Sequence, residues 1–144
     1  SYNDQILRET LWNSKALSSD VTAAMNPVYK SVHDIENVAR LSYGLAFAKY
    51  TGSRGKSMAN DADAEFIQEI RQIFDKNEIK YQSGGFGKVD EGGGGTVAKF
   101  LAYYGIRTID AGPALLSMHS LFEISSKADL YETYRAYKVF FELN

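Results

Sequence analysis

Residues 112–126 read GPALLSMHSLFEISS, and they separate two runs of different period. Ile106–Asp110 (IRTID) before them is short and β-rich. Lys127–Phe141 after them places Tyr131, Tyr134, Tyr137, Lys138 and Phe141 at steps of three and four, the period of a helix. The order is strand, loop, helix. Open α/β sheets put ligands in loops at strand ends. His119, one of two histidines in the chain, lies in this loop. It is a candidate metal ligand or acid–base group, with a hydrogen-bonded structural role as the commoner alternative. The tyrosine-rich stripe of the helix reads as a core-facing surface.

The same alternation extends upstream. Asn3–Asn13 reads as a helix capped by Asn3, with Ile6, Leu7 and Leu11 on one face. Lys15–Val21 is a short strand with Asp20 at its end. Asn26–Pro27 marks a turn, and Tyr29–Tyr43 reads as loop with a helical turn near Asp34–Arg40. Leu45–Tyr50 is a strand bounded by Gly44 and Gly52, and Thr51–Met58 is a loop. Asn60–Asp75 is a helix capped by Asn60 or Asp61, with Ala64, Ile67, Ile70 and Phe74 as its buried stripe. Glu78–Gln82 is a strand, and Ser83–Gly95 a glycine-rich loop. Thr96–Tyr104 is a helix with an apolar face of Val97, Phe100, Leu101 and Tyr104, ended by Gly105. Alternating strands and helices predict an α/β fold, a largely parallel sheet flanked by helices.

At 144 residues, one domain or part of one is expected. A formal charge of −2 argues against a nucleic-acid surface, which needs a clustered basic excess. The nearest cluster is Lys49, Arg54 and Lys56, which reads as a solvated turn. No run reaches about 18 apolar residues, so no membrane span is expected, and no signal peptide is read. The chain has no cysteine, so disulfides and thiolate metal sites are excluded. This fits a reducing, cytoplasmic compartment.

Four features could carry chemistry besides His119. Glu91–Thr96 (EGGGGT) precedes a helix, and its glycines would let a ligand approach the backbone closely, though a flexible turn explains them as well. It is neither a Walker loop nor a dinucleotide fingerprint. Asp20 could bind a metal through oxygen or cap the backbone after it. His33 reads as a surface or loop residue. Lys49, at a strand end, could hold a carboxylate or phosphate as a point charge, or be a solvated edge lysine.

Four stretches taken together extend this reading: SSDVTAAMNPVY (18–29), AKYTGSRGK (48–56) with AND (59–61), GKVDEGGGGTVAKFLA (87–102), and DAGPALLSMHSLFEISSKADLYETYRAYKVFF (110–141). In this order and spacing the chain resembles the carboxyl-terminal part of the aspartyl aminopeptidase / aminopeptidase I family of dinuclear zinc exopeptidases. The resemblance implies a zinc-dependent aminopeptidase that releases N-terminal residues, often acidic ones, from peptides. It implies two zinc ions per intact subunit, with Asp20 binding one and His119 the other. Lys49 matches a substrate-side lysine of some members. Ala23 stands where some members carry a substrate-contacting histidine, so that contact is missing.

The family's first histidine, bridging aspartate, paired glutamates and oligomerisation domain have no counterpart here. Catalytic zinc needs about three protein ligands per ion. Residues 1–144 are therefore expected to be the C-terminal portion of one catalytic domain, inactive alone, with the general-base glutamate elsewhere. The intact protein is expected to form a homo-oligomer acting on peptides. The alternative is a non-catalytic α/β structural or interaction module.

Overall fold

The computed structural model describes residues 3–53, 57–85 and 93–142. In chain order they form α1 (Asp4–Trp12), β1 (Lys15–Ser18), β2 (Thr22–Ala23), β3 (Leu45–Ala48), β4 (Tyr50–Ser53) and β5 (Ser57–Asp61). Then follow α2 (Ala64–Lys76), β6 (Tyr81–Ser83), β7 (Gly93–Gly94), α3 (Ala98–Tyr103), β8 (Arg107–Gly112), β9 (Ala114–Leu116), β10 (Ile124–Ser125) and α4 (Lys127–Phe141).

The main sheet has the order β1-β8-β3-β6. Strands β1 and β8 are parallel, as are β3 and β6, and the joint between β8 and β3 is antiparallel. The predicted α/β class, largely parallel and flanked by helices, is what forms. Alternation along β3 divides its side chains between two faces. Leu45 and Phe47 join Ile109 and Ala111 of β8, Phe66, Ile70 and Phe74 of α2, and Ala136 of α4 in the larger core. Ala46 points the other way, into a smaller cluster with Ala24, Ala39 and Ala114.

Beyond the main sheet the chain splits into two three-stranded sheets, β10-β9-β2 and β5-β4-β7. Strands β2 and β9 continue the parallel course of β1 and β8, with Thr22 opposite Ala114 and Ala23 opposite Leu115. The two chain segments 15–23 and 107–115 thus run side by side through both sheets. Gly112 lies at their junction, where a Cβ would stand 2.0 Å from the Asp20 carbonyl oxygen. Only glycine permits this approach.

Several local signals act as read. Asn3 Oδ1 accepts from Ile6 N at 2.7 Å and caps α1. Gly105, with φ 83°, follows α3 and takes the left-handed conformation that ends it. The Asn26–Pro27 turn is closed by Asn26 Oδ1, which accepts from Val28 N at 2.9 Å.

Other expectations are corrected. The segment read as a loop over Thr51–Met58 contributes to strands β4 and β5, which pair antiparallel. Asn60 and Asp61 are drawn into β5, so neither caps α2. The cap is Asp63, whose Oδ1 accepts from Phe66 N at 2.8 Å. Ala64 is exposed, and Phe66 takes its place in the buried stripe. In α3 the buried residue is Ala98, while Val97, Phe100 and Tyr104 are exposed. In α4 the inward residues are Asp129, Thr133 and Ala136, while Tyr131, Tyr134 and Phe141 face outward. The loop 112–126 carries two short strands, β9 and β10, that pair with each other.

Candidate metal centre

Asp20 lies in the link between β1 and β2, two residues beyond the main-sheet strand. Its backbone N donates to Ser18 O at 2.8 Å, which turns the chain sharply there. Its side chain is half-buried. Oδ1 accepts from Val21 N at 2.8 Å, the local capping role open to any aspartate. Oδ2 has no partner among the described residues.

Two residues shape the surroundings of Asp20. Tyr137, reaching in from α4, donates its hydroxyl proton to Ala111 O at 2.5 Å and shares a second bond with Ser19 Oγ at 2.9 Å. Burial pushes the Tyr137 hydroxyl above its ordinary pKa, with the Asp20 charge adding to the rise. Asp110 of β8, which pairs with Ser18 and is 4% exposed, also lies within reach of Asp20. Ser18 Oγ donates to its Oδ1 at 2.6 Å, and Thr96 Oγ1 donates to its Oδ2 at 2.9 Å. Burial raises the Asp110 pKa, the two hydroxyl bonds pull it back, and the nearby Asp20 carboxylate raises it again. Two carboxyl groups therefore lie within electrostatic reach of each other.

His119 stands three residues beyond the end of β9, exposed, in a tight turn. Ser117 and His119 have φ of 58° and 66°, a left-handed conformation that non-glycine residues seldom adopt and that clusters at functional sites. The turn is tied internally. His119 N donates to Glu123 Oε1 at 2.5 Å, and Ser120 Oγ donates to Phe122 O at 2.6 Å. The imidazole makes no hydrogen bond to a described residue.

Lys49 follows β3 and precedes β4. Its Nζ forms an ion pair with Asp61, and both side chains are more than half exposed. Such a pair contributes little, about 0–1 kcal/mol, and exchanges readily for another anion. No hydrogen bond or ion pair joins any two of Asp20, Lys49 and His119 among the described residues. No group of three or more His, Asp, Glu or Cys converges among them either.

Of the glycine run, Glu91 and Gly92 lie outside the described residues, as do Arg54 and Lys56 of the basic cluster. Gly93 and Gly94 form β7 and pair antiparallel with Ser53 and Gly52, so this part of the expected loop is strand. Thr96, read as the first residue of the helix, lies just before α3, and its Oγ1 accepts from Ala98 N at 3.3 Å.

His33 is a loop residue, as read, but not a surface one: it is 7% exposed. Its Nε2 accepts from Asn26 N at 3.1 Å, and its Nδ1 is buried without a partner among the described residues. The sequence reading also passed over Asp110. The signal was present, a lone acid between Ile109 and Ala111 in an otherwise apolar strand.

The residues present fit a zinc site in part. Asp20 offers an oxygen with no partner among the described residues, on a half-buried side chain within electrostatic reach of a second carboxyl whose charge a cation would offset. His119 offers an imidazole with no hydrogen bond to a described residue. Carboxylate oxygen and imidazole nitrogen are both zinc donors.

A sequence profile of the family described as Aminopeptidase I zinc metalloprotease (M18) matches residues 2–141. The chain belongs to this family. A probable M18 family aminopeptidase 1 of Borreliella afzelii is 60% identical over 141 residues, covering 98% of this chain and 31% of that protein. A crystal structure of an M18 aminopeptidase from Thermotoga maritima superposes with a TM-score of 0.92 at 53% identity, covering 96% of this chain and 31% of the other. Aminopeptidase I from Clostridium acetobutylicum gives a TM-score of 0.89 at 54% identity, covering 93% and 29%. A structure of the yeast mApe1 dodecamer matches with a TM-score of 0.74 at 25% identity, covering 94% and 28%. The chain thus spans about three-tenths of the length of the M18 relatives it matches.

Proposed function

We propose that residues 1–144 are the carboxyl-terminal portion of the catalytic domain of a zinc-dependent M18 aminopeptidase that releases N-terminal residues from peptides. The observation that carries this reading is the family match across residues 2–141, with 53–60% identity to M18 relatives over nearly the whole chain. In this reading the intact subunit holds two zinc ions, Asp20 binding one and His119 the other. Zinc, when bound, supplies the Lewis acid that polarises a peptide carbonyl.

The chain's own residues then have distinct tasks. Asp20 would hold the ion through its carboxylate, which Val21 N already orients at Oδ1 and whose Oδ2 has no partner among the described residues. His119 presents an imidazole on a turn held by Glu123 and Ser120. Lys49 stands on the substrate side, its charge shared with Asp61 until a substrate anion replaces that partner. Gly93 and Gly94 line the approach without side chains. The remaining ligands and the general-base glutamate belong to the part of the M18 length that this chain does not span, so residues 1–144 alone are inactive.

The intact enzyme is a homo-oligomer in this proposal, supported by the dodecameric yeast relative. In this proposal its location is cytoplasmic. No described helix is long and apolar enough to cross a membrane.

The test is zinc stoichiometry in the full-length enzyme. Asp20→Ala and His119→Ala should each lose one tightly bound ion per subunit and reduce turnover at least about 100-fold, from the usual effect of removing catalytic metal contacts. Two ions and full turnover in both variants would overturn the site assignment.

A further inference from the structure

Asp110 is an expensive residue for its place. It stands in the central strand β8, opposite Ser18 of β1 on one side and Ala48 of β3 on the other. A buried carboxyl costs stability that an apolar side chain of similar volume would not. Its partners show where that cost is spent. Ser18, itself 2% exposed, donates to Oδ1 and sits two residues before Asp20. Thr96, 5% exposed, donates to Oδ2 and directly follows the glycine run. The Thr96 hydroxyl also accepts from Ala98 N, so its single proton is free for Asp110. Thr51 of β4, fully buried, brings a third hydroxyl near the same carboxyl, though without a well-formed hydrogen bond.

We propose that Asp110 is a positioning residue for the metal centre: its two oxygens tie the Asp20 link, through Ser18, and the glycines Gly93–Gly95, through Thr96, to one fixed point in the sheet. The inference rests on the reading of Asp20 as a zinc ligand. Its physical basis is that both ties run to hydroxyl donors and so require an acceptor at each oxygen. A carboxylate supplies two acceptors, whereas an amide supplies one acceptor and an NH2 that cannot accept. Metal affinity depends on such supporting hydrogen bonds, typically by 10–100-fold per partner.

The experiment uses the full-length enzyme and measures zinc affinity by competition with a chromophoric chelator, alongside Tm and the separate values of kcat and KM. Asp110→Asn should weaken the Asp20-bound ion about 10–100-fold. Ser18→Ala, which cuts only the tie to the Asp20 link, should reproduce that loss. Thr96→Val, which cuts the tie to Gly93–Gly95 and the bond from Ala98 N but leaves the tie to the Asp20 link, should leave zinc affinity within twofold and raise KM. Asp129→Asn alters a buried carboxyl that holds the amides of Ser42 and Gly44 instead. It should lower Tm without moving zinc affinity.

Unchanged zinc affinity in folded Ser18→Ala and Asp110→Asn would overturn the proposal. So would zinc losses that merely follow Tm across all four variants, which would make Asp110 a structural tie only. If Asp110→Asn does not fold, Ser18→Ala and Thr96→Val still decide it. If Asp20→Ala itself keeps both ions, the functional reading fails before this inference is reached.

Discussion

At the scale of single residues, close backbone approaches govern the candidate site as firmly as its charged groups do. A Cβ at Gly112 would meet the Asp20 carbonyl oxygen at 2.0 Å, so Gly112→Ala must push the Asp20 link off β8. Overpacking of this kind costs about 1–3 kcal/mol. In the full-length enzyme the variant should show both a lower Tm and loss of the zinc ion proposed for Asp20. Gly44 offers the matched control. Its φ is 94°, and a Cβ there would meet Lys80 O at 2.1 Å. Gly44→Ala should lower Tm by a comparable amount while zinc stoichiometry stays at the proposed two, which separates a strained backbone beside the proposed metal site from strain elsewhere. Neither role is visible in composition. Gly112 reads in sequence only as the start of a loop.

At the scale of elements, α2 shows how a distant contact overrides a local signal. Asn60, Asp61 and Asp63 are all chemically able to cap a helix. The β4–β5 pairing takes the first two, and Arg107, 44 residues away, selects the third. Its guanidinium grips both oxygens of Asp63, with Nε to Oδ2 at 3.1 Å, and stacks over the Phe66 ring at 5.5 Å. The Arg107 hydrogen bonds hold the Asp63 carboxyl below the usual carboxylate range, helped by Phe66 N. A carboxyl whose folded pKa is depressed stabilises fully above its unfolded pKa. That stability is lost as pH falls through the folded value. Arg107→Gln should therefore lower stability near neutrality and flatten the acid limb of the stability–pH curve below the ordinary carboxylate range. Both groups are over a third exposed, so solvent screening keeps the difference to about 0.5–1 kcal/mol. Thermal denaturation between pH 3 and 7 reads it directly. An equal acid loss in both proteins would count against the Asp63–Arg107 pair as its source. The same lesson holds in α4. Helical spacing identifies a tyrosine stripe but not the direction it faces. Asp129 turns inward to accept from Ser42 N and Gly44 N at 2.8 and 2.7 Å, and this rotates Tyr131 and Tyr134 outward.

At the scale of the whole molecule, apolar surface is left open in several places. Leu121 and Phe122 are 99% and 84% exposed, and Trp12, Tyr103 and Phe141 also face outward. Trp12, Tyr103 and Tyr104 line a groove of about 690 Å³ between α1 and α3. Strand β1 is an edge of the main sheet, and unpaired edges invite association. A separately expressed 1–144 chain should sediment above monomer mass and bind an apolar dye strongly, whereas the full-length enzyme should bind little. A monomeric, dye-silent chain would show that these surfaces need no cover.

Sequence alone determined the α/β alternation, the Asn3 cap, the Gly105 stop and the extent of α4. Each follows from spacing or from one residue's backbone preference. The four ordered stretches likewise carried the resemblance to the aminopeptidase I family. Only tertiary structure decided which acid caps α2, which face of α4 is inside, and that His33 is buried. It also placed Asp110 between Ser18 and Thr96, 92 and 14 residues away in the chain. The physical reason is the range of the forces. Backbone preference and helical period act over a few residues and are written locally. Burial, carboxyl–hydroxyl bonds and the direction of an amphipathic face are settled by partners that only the sheet brings within reach.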